Sequence, residues 1–117
     1  RKAAEVRGHA EAHPEWTLVA QLADGRIVGF VTFRIDSDAR AGLGHIGNNA
    51  VHPEHQGRGI GKALYERSMR AMREKGVRWV ELVTGLDEGH APARRAYEKC
   101  GFWQAMPSVH YFRRIDD

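Results

Sequence analysis

At 117 residues, 28% of them charged and 42% hydrophobic, the chain suffices for one domain with a single core and is too short for two. No apolar run approaches the ~18 residues of a membrane span and no signal-peptide pattern opens the chain, so the sequence predicts a soluble, cytoplasmic protein. The net charge of +3, from 18 Lys+Arg against 15 Asp+Glu, is weak ground for a nucleic-acid binder, and the single cysteine, Cys100, excludes an intrachain disulfide and fits a reducing compartment.

Residues 1–13 read as the tail of a helix, with Ala3, Val6 and Ala10 at helical spacing and Pro14 as the stop. Residues 16–22 and 27–35 are rich in β-branched, aliphatic and aromatic side chains, and Ala23-Asp24-Gly25-Arg26 between them has the chemistry of a tight turn, which predicts an antiparallel hairpin. A polar loop over 36–44 leads to a strand over 45–51. From Ile60 a helix is predicted, with Ile60, Ala63, Leu64, Ala71 and Met72 as its apolar stripe, Glu66 set to pair with Arg70, and Gly76 ending it. A strand over 77–84 follows, then a loop over 86–89. A second helix over 91–100 has Ala93, Ala96, Tyr97 and Cys100 on one face, Pro92 in its first turn and Gly101 as its stop. Residues 102–113 are expected to finish the sheet as two strands bent near Pro107. The aromatic residues Trp16, Trp79, Trp103, Phe30, Phe33, Phe102, Tyr111 and Phe112 are assigned mostly to the core, Tyr111 and Phe112 also being candidates for the wall of an acceptor pocket. This order predicts one α/β domain over 1–117, a mixed, mostly antiparallel central sheet flanked by helices.

The segment with the most chemical content is Gln56-Gly57-Arg58-Gly59-Ile60-Gly61-Lys62, a glycine-rich turn between a strand and an amphipathic helix. Backbone N–H groups exposed at such a turn, aimed by the positive end of a helix dipole, form a pocket for a pyrophosphate. Two familiar phosphate motifs do not fit. A Walker loop needs Gly where Gln56 stands and Ser or Thr where Ala63 stands, and a dinucleotide fingerprint needs Gly or Ala where Lys62 stands. The spacing that fits is Gln-x-x-Gly-x-Gly, read as Gln56, Gly59 and Gly61.

With that loop, with Asn49-Ala50-Val51-His52-Pro53-Glu54 leading into it, and with His90-Ala-Pro-Ala-Arg-Arg-Ala-Tyr97-Glu-Lys-Cys-Gly-Phe102 after it, the chain resembles the GNAT superfamily of acyl-coenzyme A dependent N-acetyltransferases from about Trp16 onward. The first strand and helix of the family pattern are missing and there is no initiator Met, which points to a fragment, to a shortened variant, or to those elements being supplied otherwise. The resemblance implies acetyl-CoA as co-substrate and direct attack by a primary amine in a ternary complex. It implies that Arg58, Gly59, Ile60, Gly61 and Lys62 hold the pyrophosphate together with Gly57, with Gln56 at the rim. It also implies that the N–H of Val51 polarises the thioester carbonyl while its C=O aligns the pantetheine, and that Tyr97 is the acid for the leaving thiolate. Where the family usually has Asn to steady the cofactor, this chain has His90, which can donate a similar hydrogen bond.

For the base three readings stand. Glu81 occupies the strand position where ribosomal-protein N-terminal acetyltransferases carry a catalytic Glu, and a carboxylate in an otherwise apolar strand is costly to bury. His45 stands where histone-type members carry theirs, and bound water alone is the third reading, with Asn48 and Asn49 able to orient it. No metal is expected, since His52 and His55 are three apart without further ligands nearby in sequence. A sheet edge left by the missing first strand would suit a second copy of the chain, hence a homodimer. The alternative to an enzyme is a degenerate domain that holds acyl-CoA as a sensor or scaffold.

Overall fold

Asp24 and Gly25 turn the chain between two apolar runs, Gly25 at φ 93° and the Asp24 carboxylate accepting from the Arg26 backbone N–H at 3.0 Å. The resulting hairpin, β1 (Thr17–Gln21) and β2 (Ile27–Ile35), is antiparallel as expected. The computed structural model describes residues 2–36, 42–103 and 105–116, which divide into two units, Arg1–Val83 and Thr84–Asp117.

In the first unit, helix α1 (Lys2–Ala12) and a 3-10 turn at Pro14–Trp16 precede a four-stranded sheet in the order β1-β2-β3-β4. β3 is Leu43–Val51, antiparallel to β2; β4 is the short Trp79–Glu81, parallel to β3. Between them α2 (Ile60–Glu74) crosses one face of the sheet, a right-sized connection for a parallel pair. Its buried side chains are Leu64, Tyr65, Ser68 and Met72, packed with Val31, Phe33, Ile46 and Val77 as the core. Gly29 and Gly44 let the helix approach. A Cβ at Gly29 would lie 3.3 Å from a Leu64 methyl, and one at Gly44 would overlap the Met72 sulfur.

Three details of the helix depart from the sequence reading. Ala63 is exposed, while Tyr65 and Ser68 are buried, each polar atom with a partner: Tyr65 Oη donates to Asn49 Oδ1 at 2.7 Å and Ser68 Oγ to the Tyr65 carbonyl at 2.8 Å. Glu66 faces Lys62 at 3.9 Å, one turn back, instead of the expected Arg70. Gly76 ends the helix as expected, at φ 90°.

The second unit contains a 3-10 turn at Glu88–His90 and α3 (Ala91–Lys99), stopped by Gly101 at φ 95°. Its Arg94 guanidinium donates to the carbonyls of Gly85 and Asp87, tying the loop before the helix to its second turn. The expected strands over 102–113 are not found among the described residues. Trp103, Met106, Tyr111 and Phe112 are exposed, the last at 94%. The composition has strand propensity, but a strand exists only where a neighbour accepts and donates its backbone hydrogen bonds. The core assignment of the aromatic residues holds fully only for Phe33; Trp79 and Trp103 are exposed and Trp16, Phe30 and Phe102 half-buried. Among the described residues no helix is long and apolar enough to cross a membrane.

Candidate active site

Thr32 shapes the site. Val31 pairs with Asn49 but Phe33 pairs with Ile46, so Gly47 and Asn48 together oppose Thr32 and β3 carries a bulge. The missing ladder bonds are supplied by the Thr32 hydroxyl, which accepts from the Asn48 N–H at 2.9 Å and lies 3.3 Å from the Asn48 carbonyl. A side chain at Gly47 would press on that hydroxyl at 2.8 Å. The bulge reverses the alternation of β3. Gly44 faces α2, and beyond the bulge Asn49 and Val51 face it too, through Tyr65 and Gly61 respectively. Asn49 is therefore turned to the helix, away from the water-orienting role expected for it, while Asn48 lines a cavity in the first unit. Because Thr32 is 3% exposed, Thr32→Val should leave the Asn48 N–H without its acceptor and cost about 1–3 kcal/mol of stability, read by urea unfolding beside the parent.

The β3–β4 pairing covers only Leu43, Gly44 and His45 against Trp79, Val80 and Glu81. Beyond it, 46–51 and the chain after Glu81 no longer pair, although a strand to residue 84 was expected; the bulge has already bent β3 out of register for it. The His52 N–H donates to the Val28 carbonyl at 2.7 Å, so by strand alternation the N–H and C=O of Val51 point away from β2, toward this open edge. Gln56 Nε2 donates to the Val51 carbonyl at 3.0 Å. Gln56 thus anchors the loop to the strand end.

From there His52 accepts the Glu54 N–H at 3.2 Å and starts the 3-10 turn Pro53–His55. Gly57 and Gly59 adopt φ 78° and 82°, and Gly59 is the N-cap of α2 without any side-chain cap. The first-turn N–H groups at Ile60, Gly61 and Lys62 therefore face outward with no side-chain acceptor, beside the exposed Arg58 and Lys62. The loose pairs that Lys62 makes with Glu66 at 3.9 Å and Arg58 with His55 at 3.5 Å are exposed and cheaply broken. These donors at the start of α2 are the kind that receive an anion.

The two competing base residues are brought together. His45 and Glu81 are register partners on β3 and β4, and His45 Nδ1 lies 3.0 Å from Glu81 Oε1. The imidazole is only 11% exposed; its Nε2 lies 3.0 Å from Asp36 Oδ1 but off the line of a straight hydrogen bond, a close electrostatic contact. Glu81, expected to be costly to bury, is 51% exposed. Both residues line a cavity of about 410 Å³ together with Glu5 and His9 of α1, Thr32, Arg34 and Asn48. The sequence reading missed Asp36, Glu5 and His9. For Asp36 a signal existed: Thr32, Arg34 and Asp36 alternate as polar residues at the end of an apolar strand, the mark of a polar face.

His90 and Tyr97 belong to the second unit. His90 Nδ1 is engaged by Asp87 Oδ1 at 2.6 Å, and this bond holds the Asp87 carboxyl below the usual carboxylate range. The Tyr97 ring, half-buried on α3, meets Phe102 edge-on at 6.2 Å between centroids.

The sequence model of the acetyltransferase (GNAT) family matches residues 2–102. The chain belongs to that family. The mycothiol acetyltransferase of Stackebrandtia nassauensis is 31% identical over 103 residues, 87% of this chain and 33% of the relative, so the chain spans about a third of the length of such relatives. A GNAT-family structure from Desulfovibrio desulfuricans superposes with TM-score 0.79 at 24% identity, over 89% of this chain and 69% of that one. The aminoglycoside N-acetyltransferase AAC(6')-Iy, in complex with the bisubstrate analogue CoA-S-monomethyl-acetylneamine, gives TM-score 0.71 at 21% identity, over 93% of this chain and 80% of that one. In this GNAT chain the loop from Gln56 to Lys62 and the open edge at Val51 are adjacent in sequence and linked by the Gln56 bond.

Proposed function

We propose that the chain transfers an acetyl group from acetyl-CoA to a primary amine held in the cavity beside Glu81. The observation that carries this reading is the uncapped, glycine-lined start of α2, tied by Gln56 to a strand end whose Val51 N–H faces an open edge. Gly57, Arg58, Gly59, Ile60, Gly61 and Lys62 would hold the pyrophosphate, and the Val51 N–H would donate to the thioester carbonyl as negative charge builds on it. Structural neighbours include an aminoglycoside acetyltransferase in complex with sisomicin and the NatC complex bound to Gag peptide and CoA, which agrees with an amine acceptor without selecting one.

The exposure of Glu81 favours it as the base, with His45 as a positioning residue: the carboxylate reaches the cavity, while the buried imidazole lies between two carboxylates and holds one of them. As the N–C bond forms and the C–S bond breaks, the amine proton passes to Glu81 and the departing thiolate takes one from a donor. Tyr97 is that donor by its place in the motif, and His90 would steady the donor substrate through Nε2.

Tyr97→Phe keeps the ring and its contact with Phe102 and removes only the hydroxyl. It is expected to lower kcat about 10²-fold, at the low end of general-acid effects, with acetyl-CoA affinity nearly unchanged. Unchanged kcat with chemistry rate-limiting would return Tyr97 to packing. The function itself is tested by thiol release from acetyl-CoA across an amine library. Tight acetyl-CoA binding with no amine-dependent release would leave an acyl-CoA sensor instead.

A further inference from the structure

We propose that the acceptor carries a second positive charge, and that Glu5 of α1 is the group that receives it. This rests on reading the cavity as the acceptor site. At about 410 Å³ the cavity holds more than a single amine and a short stem, so its remaining wall contributes to selection.

The charges on that wall are unevenly compensated. The Arg34 guanidinium lies 3.5 Å from Asp36, His45 is engaged by Glu81, and His9 Nε2 lies 3.4 Å from the Trp16 carbonyl. Glu5 is different. It is exposed in the first turn of α1, lines the cavity, and has no ion-pair partner among the described residues. A chain of net charge +3 thus presents to its cavity two carboxylates from different elements, of which the chemistry needs one.

An ammonium against Glu5 forms a charge-assisted hydrogen bond, while the reacting amine meets Glu81. The acceptor class is a diamine or aminosugar with its two nitrogens several bonds apart. A free amino acid is disfavoured, because it brings a carboxylate where the second ammonium would meet Glu5.

The test measures thiol release from acetyl-CoA with linear diamines, with monoamines of equal length and with the corresponding amino acids. The expected result is a kcat/KM at least tenfold higher for the diamine than for the monoamine. Glu5→Gln should lower that ratio about tenfold, through KM. Glu11→Gln, on the same helix but outside the cavity wall, removes the same charge and should leave the ratio in place. Release with equal preference for monoamine and diamine, or an equal fall in both Glu variants, overturns the role of Glu5 while leaving acetyl transfer standing. Release with no amine at all overturns acetyl transfer and this proposal with it.

Discussion

Gly61→Glu is expected to abolish acetyl-CoA binding while the protein unfolds at the same temperature as the parent or higher. Gly61 lies in the first turn of α2 with ordinary helical backbone, and a Cβ there would rest 3.8 Å from a Val51 methyl, a normal contact. Replacing glycine in a helix gains about 0.5–1 kcal/mol, and a carboxylate at the N-terminal end of the dipole adds about 0.3–1 kcal/mol. That carboxylate then competes for the N–H groups a pyrophosphate needs and repels its charge. A loss of about 100-fold or more in affinity follows, on the order of 3 kcal/mol. Gly59→Glu is a poorer test, since its φ of 82° would add left-handed strain of about 1–2 kcal/mol and confuse folding with binding. Calorimetric titration beside thermal unfolding separates the two quantities. Parent-like affinity in a folded Gly61→Glu protein would defeat the assignment of this loop to the donor substrate.

The loop was legible because its signal is local: glycines at positive φ, an uncapped helix start and the Gln56 spacing all lie within a few residues. The hairpin and α2 were legible for the same reason, and Ile27–Ile35 matches its expected bounds. What sequence could not supply is pairing across distance. The bulge opposite Thr32 reverses which β3 residues face the cavity, so plain alternation misplaces Asn49. The His45–Glu81 contact joins residues 36 apart and depends on β4 pairing in parallel at that register, which turned two rival bases into one pair. Glu5 enters through tertiary packing alone, whereas Asp36 had a local signal in the polar alternation of Thr32, Arg34 and Asp36. The tail over 102–116 shows the opposite failure, strand propensity read without knowing whether a partner strand was there.

Glu81→Gln should lower kcat/KM about 10²- to 10³-fold at pH 7, leaving acetyl-CoA affinity within about twofold, because proton removal is the step it serves. An amine with pKa near 10.4 is only ~0.04% neutral at pH 7. Glutamine keeps the shape and still accepts from the His45 Nδ1–H, so the β3–β4 register that carries the pair survives. What it loses is the capacity to take a proton. The variant must wait for amine already neutral, whose fraction rises about tenfold per pH unit below the amine's pKa. Its rate should climb with unit slope over that range, and its shortfall against the parent should narrow as pH rises. His45 separates from Glu81 in the same experiment. His45→Ala should cost about tenfold by letting the carboxylate wander. His45→Asn, which keeps a donor near the Nδ1 position, should recover most of that loss with a parent-like pH profile. A Glu81→Gln profile that overlays the parent while the profiles of the His45 variants do not would make His45 the base and Glu81 its support.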